Sequence, residues 1–204
     1  MTADGLYPLI LASASPRRRE LLEQIGLRFT VQSVDVDETP REHEAPDLYV
    51  LRMAREKALA CQRLPGNTDS LVLGADTSVV LDGVIMGKPH SRDDARAMLQ
   101  RLSGHQHEVM TGVALAGLTA VRERVVTTRV VFRRLAENEI DAYLDTGEPY
   151  DKAGGYGIQG LGGIFVTSLV GSYSAVVGLP LDATADLLAQ VDQPVWQWWA
   201  SGDE

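Results

Sequence analysis

The chain has 204 residues, 45% of them hydrophobic, and a formal net charge of −9, which is enough apolar surface for a buried core in one domain, or in one domain of two lobes (1–204). So acidic a balance lacks the positive field that recruits phosphate backbones or anionic lipid, which sets aside general nucleic-acid and membrane-surface binding and leaves any anion to a local cluster. No apolar run approaches the roughly 20 residues that span a bilayer, and "MTADGLYPLILAS" has no basic residue ahead of its short apolar run, so it reads as the mature N-terminus of a cytoplasmic protein.

In chain order, "LYPLILAS" predicts a short strand ending in small polar residues. "SPRRRELLEQIGL" then predicts a helix, with Ser15 as N-cap, Pro16 at the first position, apolar spacing at Leu21, Leu22 and Ile25, and Gly26 as its stop. "FTVQSV" predicts a second strand, and the acidic, proline-punctuated loop "DVDETPREHEAP" leads into the helix "DLYVLRMAREKALACQRL". The single cysteine, Cys61, lies in that alanine-rich helix as a small packing residue; with no second cysteine there is no intrachain disulfide, which fits a reducing compartment.

"SLVLGADTSVVLDGVIMGKP" holds two apolar strands with Asp82-Gly83 as a two-residue hairpin signal, and "SRDDARAMLQRLSG" a helix capped by Ser91 and stopped by Gly104. "HEVMTGVALAG" and "TAVRERVVTTRVVFRRL" predict a pair of long antiparallel strands, "AENEIDAYLDTGEP" a helix, and the glycine-dense "DKAGGYGIQGLGG" irregular chain. A strand "IFVTSLVG" and a helix around "LPLDATADLLAQV" close the fold, predicted as one α/β domain with a mixed sheet and a C-terminal tail over 192–204.

Arg17, Arg18 and Arg19 emerge where a helix N-terminus offers free N–H groups and the positive end of its dipole. A phosphate docks well there, and like charges crowded at that end call for something negative; the alternative is three side chains splayed into solvent or paired with Glu20 and Glu23. Arg19, four residues before Glu23, reads as plain surface. Asp76 closes an apolar strand in "GADT", as a metal ligand, a base or a turn former. "DVDE", ending at Glu38, adds hard oxygen ligands suited to Mg²⁺ or Mn²⁺ bound with phosphates, or is a solvated acidic loop. Lys57 and Lys88 are each ordinary surface lysines on their own. Six glycines in ten residues of "GGYGIQGLGG" cost chain entropy unless a backbone approaches something closely. His43, His90, His105 and His107 have no metal-ligand spacing and read as surface or packing residues.

Taken together, "LILASASPRRRELLEQIG", "DVDE", "REKA", "LGADTSVVLDGVIMGKP", "LSGHQHEVMTGVAL", "EPYDKAGGYGIQG" and "GSYSAVVGLPL" resemble the Maf family of nucleoside triphosphate pyrophosphatases, in family order and over nearly the whole chain. The resemblance implies a two-lobed α/β fold like that of inosine triphosphate pyrophosphatases with a central cleft, a divalent cation (Mg²⁺ or Mn²⁺), a homodimer, and hydrolysis between the α and β phosphates. It implies that Arg18, Lys57 and Lys88 clamp phosphates, that Ser13 hydrogen-bonds one, and that Glu38 and Asp76 hold the metal, with Asp76 as general base. "SPRRR", "GADT" and "YGIQG" look like the subgroup acting on dTTP and UTP, with Arg17, Thr77 and Gln159 at the specificity positions; a glutamine amide matches the O4 and N3–H edge of uracil or thymine. The alternatives are a nucleotide-binding regulator of cell division and septum formation, and the subgroup acting on 7-methyl-GTP. The tail's three tryptophans, Trp196, Trp198 and Trp199, fall outside the family pattern and read as docking on the protein's own core or a dimer mate.

Overall fold

The computed structural model describes residues 5–199. Its elements are β1 (Leu9–Leu11), α1 (Pro16–Gln24), β2 (Thr30–Val31), α2 (Pro46–Gln62), β3 (Leu71–Leu81), β4 (Val84–Met86), α3 (Arg92–Leu102), β5 (Gln106–Ala116), β6 (Val121–Phe132), α4 (Glu137–Asp145), β7 (Val166–Val170), α5 (Tyr173–Val177), α6 (Leu181–Ala189) and α7 (Trp196–Trp199). Short 3-10 turns occupy Glu148–Asp151, Ala153–Gly155 and Leu161–Phe165. No described helix is long and apolar enough to cross a membrane.

The chain forms two compact units, and the division falls inside β3, β5 and β6. The first takes the chain through Asp76, then Thr111–Val126, then the residues from Gly178 onward. Its strands lie in the order β2-β1-β3-β5-β6. β1 pairs in parallel with β2 on one side and β3 on the other, with Leu11 opposite both Val31 and Leu73. Parallel neighbours need crossovers, and α1 and α2 supply them. The chain thus leaves β1 to one side and returns on the other, which makes the carboxyl end of β1 a topological switch point, where open α/β sheets bind ligands. The core here is Ile10, Ala12, Ala54, Ala58, Cys61, Val72, Ala114 and Ala116, rich in small residues that let a helix lie close on a sheet. Cys61 is buried, as a packing residue should be.

The second unit is Thr77–Met110 with Thr127–Val177. Asp82 and Gly83, both at positive φ (53° and 77°), turn β3 into antiparallel β4 with Leu81 opposite Val84, the type I′ geometry that an Asp-Gly pair favours. β7 adds antiparallel to β6. Ser91 caps α3 by accepting from the Asp94 N–H at 3.1 Å, and Gly104 ends that helix at φ 74°. Phe132 anchors the core, meeting His107, Tyr156 and Phe165 edge-on at ring separations of 5.0, 4.7 and 5.8 Å.

His107 is 2% exposed, and its Nε2 lies 2.8 Å from the Tyr156 hydroxyl. Burial pushes its pKa down from 6.5 to about 4. The native state therefore keeps His107 neutral while the unfolded chain takes up a proton, so its contribution is present in full above about pH 6.5 and is lost as pH falls toward 4. Between about pH 7 and about pH 5 this residue removes about 2 kcal/mol of stability. Urea unfolding at both values checks it: His107→Gln flattens the dependence by that amount, and an unchanged slope contradicts it.

Two expectations are corrected. Ser15 occupies the N-cap of α1, but its side chain caps nothing; its N–H donates instead to Ser13 Oγ at 3.2 Å. β2 shrinks to two exposed residues because it has only three-residue β1 to pair with. Of the tail, Trp198 is buried and Trp199 Nε1 donates to the Ile25 carbonyl at 2.7 Å, closing the end of α1, whereas Trp196 stands exposed. Residues 200–204 of the tail lie outside the described residues.

Candidate active site

The first unit holds six of the nine predicted residues: Ser13, Arg17, Arg18, Glu38, Lys57 and Asp76. Ser13 follows β1, and Asp76 lies within β3 three residues beyond Leu73, so both stand past the stretch over which the two parallel strands pair. Across β3 the only breaks in burial are Asp76 and Thr77. Gly74 and Asp76 share the strand face turned toward α2, since side chains alternate along a strand. A Cβ on Gly74 would run into the Ala54 carbonyl oxygen and lie 2.8 Å from the Ala58 nitrogen. On β5 a Cβ on Gly112 would likewise strike the Val50 carbonyl and lie 2.9 Å from the Leu51 nitrogen. Glycine is required because the backbones of strand and helix touch there.

That close approach brings Lys57 into range. Tyr49, Met53 and Lys57 follow at helical spacing along one flank of α2, and Lys57 Nζ donates to Asp76 Oδ1 at 2.7 Å. The same ammonium lies 2.7 Å from Glu38 Oε1. The Lys57 and Asp76 side chains are each only 13% exposed, whereas Glu38 is 58% exposed. Gly74→Ala should therefore cost about 1–3 kcal/mol of stability by overpacking; a denaturant midpoint equal to wild type would contradict this reading of the helix–strand contact.

The loop bearing Glu38 is fixed by α2. Tyr49 donates its hydroxyl proton to the Glu38 carbonyl at 2.9 Å, and Arg52 Nη2 donates to the Thr39 carbonyl at 3.1 Å. Arg52 also binds the nearly buried Glu44 through Nε and Nη2, each at 2.6 Å, and those side-chain bonds hold Glu44 down at about 2. Burial first, and then the charges of Asp76 and Glu38, push Tyr49 up to about 12, so it remains a neutral donor. Tyr49, Arg52 and Glu44 were not singled out from the sequence. The available signal was their spacing: Tyr49 and Arg52 stand three apart on the helix whose next turn carries Lys57.

The three arginines separate. Arg19 faces outward and pairs with Glu23 at 3.6 Å, as its spacing predicts. Arg18 turns inward: Nε donates to the Gly178 carbonyl at 2.8 Å and Nη1 to Ser13 Oγ at 3.1 Å, where Ser13 is 8% exposed. Burial lowers the Arg18 pKa, the Asp76 charge works against that, Arg17 adds repulsion and Glu38 attraction; a guanidinium stays protonated regardless. Arg17 is partly exposed beside it. The first turn of α1 holds no acid, so these cations sit against the helix dipole. The compensating charge comes from Asp76 and Glu38.

Thr77, Lys88 and Gln159 belong to the second unit. Thr77 is half-buried on β3; Lys88 is exposed just past β4, next to Gly87, whose carbonyl accepts from the Gly154 N–H at 3.0 Å. Gln159 is exposed between Gly157 and Gly160.

A family model described as Maf-like protein matches residues 8–191. The chain is 52% identical to the dTTP/UTP pyrophosphatase of Hahella chejuensis, over 94% of this chain and 96% of that one. It is 53% identical to the protein of that name from Myxococcus xanthus over 98% and 100%, and 55% identical to that of Pseudoalteromonas translucida over 87% and 94%. Among solved structures it is similar to a HAM1 protein from Coxiella burnetii at 17% identity and a TM-score of 0.44, over 64% of this chain and 75% of that chain. With the family model spanning most of its length and relatives identical at more than half of the aligned positions, the chain belongs to the Maf family.

Proposed function

We propose that the protein hydrolyses dTTP and UTP between the α and β phosphates, giving the nucleoside monophosphate and pyrophosphate. The observation that carries this reading is the Lys57 ammonium held 2.7 Å from both Asp76 and Glu38, with the Arg18 charge acting on the same two carboxylates. The shared name of the relatives points the same way. Water adds to phosphorus, the bridging P–O bond breaks, and the proton of water passes to an Asp76 carboxylate oxygen. In the first unit, Arg18 and Lys57 take up phosphate charge and Ser13 donates its hydroxyl proton to a phosphate oxygen; in the second, Lys88 is read as a further phosphate cation and Gln159, with Thr77, as selecting the base.

Two carboxylates bound to one ammonium are within reach of a common cation, and no group of three or more acidic, histidine or cysteine side chains forms a cage among the described residues. That donor set fits Mg²⁺ or Mn²⁺, which one or two carboxylates hold together with substrate phosphates and water. Glu38 and Asp76 would hold such an ion, and its role when bound is to neutralise phosphate charge and polarise a phosphoryl oxygen. A homodimer in the cytoplasm is the working state this reading assumes.

Rates of pyrophosphate release with Mn²⁺ over a panel of UTP, dTTP, CTP and 7-methyl-GTP test the proposal. UTP and dTTP should lead in kcat/KM. Preference for 7-methyl-GTP would move the chain to that subgroup, and tight UTP binding without turnover would favour a nucleotide-dependent regulator of division.

A further inference from the structure

Gln159 sits in 157–163, where four of seven residues are glycine, so it has little side-chain packing of its own to hold it. What holds the segment is the Glu148 carboxylate. Its Oε2 accepts from the Leu161 N–H at 2.9 Å; its Oε1 accepts from the Gly162 N–H at 3.1 Å and from the Tyr143 hydroxyl at 2.8 Å. Tyr143 Oη in turn accepts from the Gly157 N–H at 3.2 Å. Residues on both sides of Gln159 are thereby tied, directly or through one phenol, to a single carboxylate.

The glycines are what permits it. A Cβ on Gly160 would lie 2.7 Å from Glu148 Oε1, one on Gly162 would lie 2.7 Å from Tyr143 Oη, and one on Gly157 would lie 2.7 Å from Lys152 Cε. Lys152 in turn donates to the Glu148 carbonyl at 2.9 Å. Burial alone would raise the Glu148 pKa, but the N–H bonds from Gly162 and Leu161, the Tyr143 bond and the Lys152 charge bring it below the ordinary value, keeping it an acceptor on both oxygens.

We propose that Glu148 is a positioning residue for base selection, fixing through its hydrogen bonds to Leu161, Gly162 and Tyr143 the loop that presents Gln159. This rests on the reading of Gln159 as the residue that pairs with the base. Glu148→Gln keeps the shape but turns one acceptor oxygen into an N–H₂ donor that faces donors already in place. The amide of Gln159 is then presented in several orientations, and a donor–acceptor match to uracil is lost together with the penalty against cytosine.

The experiment measures kcat and KM for UTP and CTP, and thermal midpoints, in wild type, Glu148→Gln, Tyr143→Phe, Gln159→Ala and the double variant Glu148→Gln/Gln159→Ala. Glu148→Gln should lower the UTP:CTP ratio of kcat/KM by about tenfold, through KM rather than kcat. Tyr143→Phe, which frees only the Gly157 side, should lower it less. In the Gln159→Ala background Glu148→Gln should leave the ratio unchanged, because its effect passes through Gln159. A ratio preserved in Glu148→Gln but lost in Gln159→Ala overturns the proposal and leaves the base reading standing; so do additive effects in the double variant. A ratio untouched by Gln159→Ala removes the base reading and this inference with it. Should Glu148→Gln not fold, Tyr143→Phe decides on the same terms, alone and combined with Gln159→Ala.

Discussion

Asp76→Asn should reduce kcat for UTP by about 10²–10⁴-fold, the range that loss of a positioned general base produces. The amide matches the carboxylate in shape, so Lys57 still has an oxygen to bind, and the stability change should be small beside the kinetic one. What disappears is the site for the proton of the attacking water and one of two anionic ligands for a divalent ion. Initial rates with Mn²⁺, read beside the thermal midpoint, check this. A variant that keeps a tenth or more of wild-type kcat would show that Asp76 is not the base.

Lys57→Ala should lower kcat/KM by about 10²–10³-fold, the usual loss when one fixed donor to developing phosphate charge is removed. Here the effect has a second source. Lys57 is the shared partner of Asp76 and Glu38, each at 2.7 Å, and without it two carboxylates are left with no ammonium between them. Lys57→Arg should not restore activity, because a planar fork cannot replace a point charge seated between two oxygens. Steady-state kinetics on both variants decide it: near-wild-type turnover in either contradicts a central role for the ammonium.

Much of this site was legible because local chemistry marks it. Small residues after β1 and a proline-started helix with successive arginines are short-range signals, and Ser13 and Arg18 stand where those signals place them, whereas Asp76, read as closing a strand, lies in the middle of the continuous strand Leu71–Leu81. The outward turn of Arg19 followed from Glu23 four residues on. The partner of Arg18 did not: the Gly178 carbonyl is 160 residues away, and no spacing rule reaches it. The Tyr49 and Arg52 contacts that hold the Glu38 loop were missed for a related reason, since they go to backbone carbonyls, which every residue offers alike.

The glycine density announces a close approach without naming the neighbour. Around Gln159 the approaching groups are Glu148, Lys152 and Tyr143 of the same unit, and at Gly154 the neighbour is the Val79 side chain. Gly74, an unremarked part of "GADT", proves to set the distance at which α2 lies on the sheet. Short elements escaped altogether: α5 has five residues and α7 four, too few for a helical period to register, although Ser172 Oγ accepting from the Ala175 N–H at 3.2 Å is a cap that "GSYSAVV" could have offered.

Phosphorus NMR of the products of UTP with Mn²⁺ tests the central claim most directly, because it reports which bond the Lys57, Asp76 and Glu38 group breaks. The account predicts UMP and pyrophosphate in equal amounts, with formation of both abolished together by Asp76→Asn. UDP and orthophosphate as the products, or UMP formed at the same rate by the variant, would contradict it.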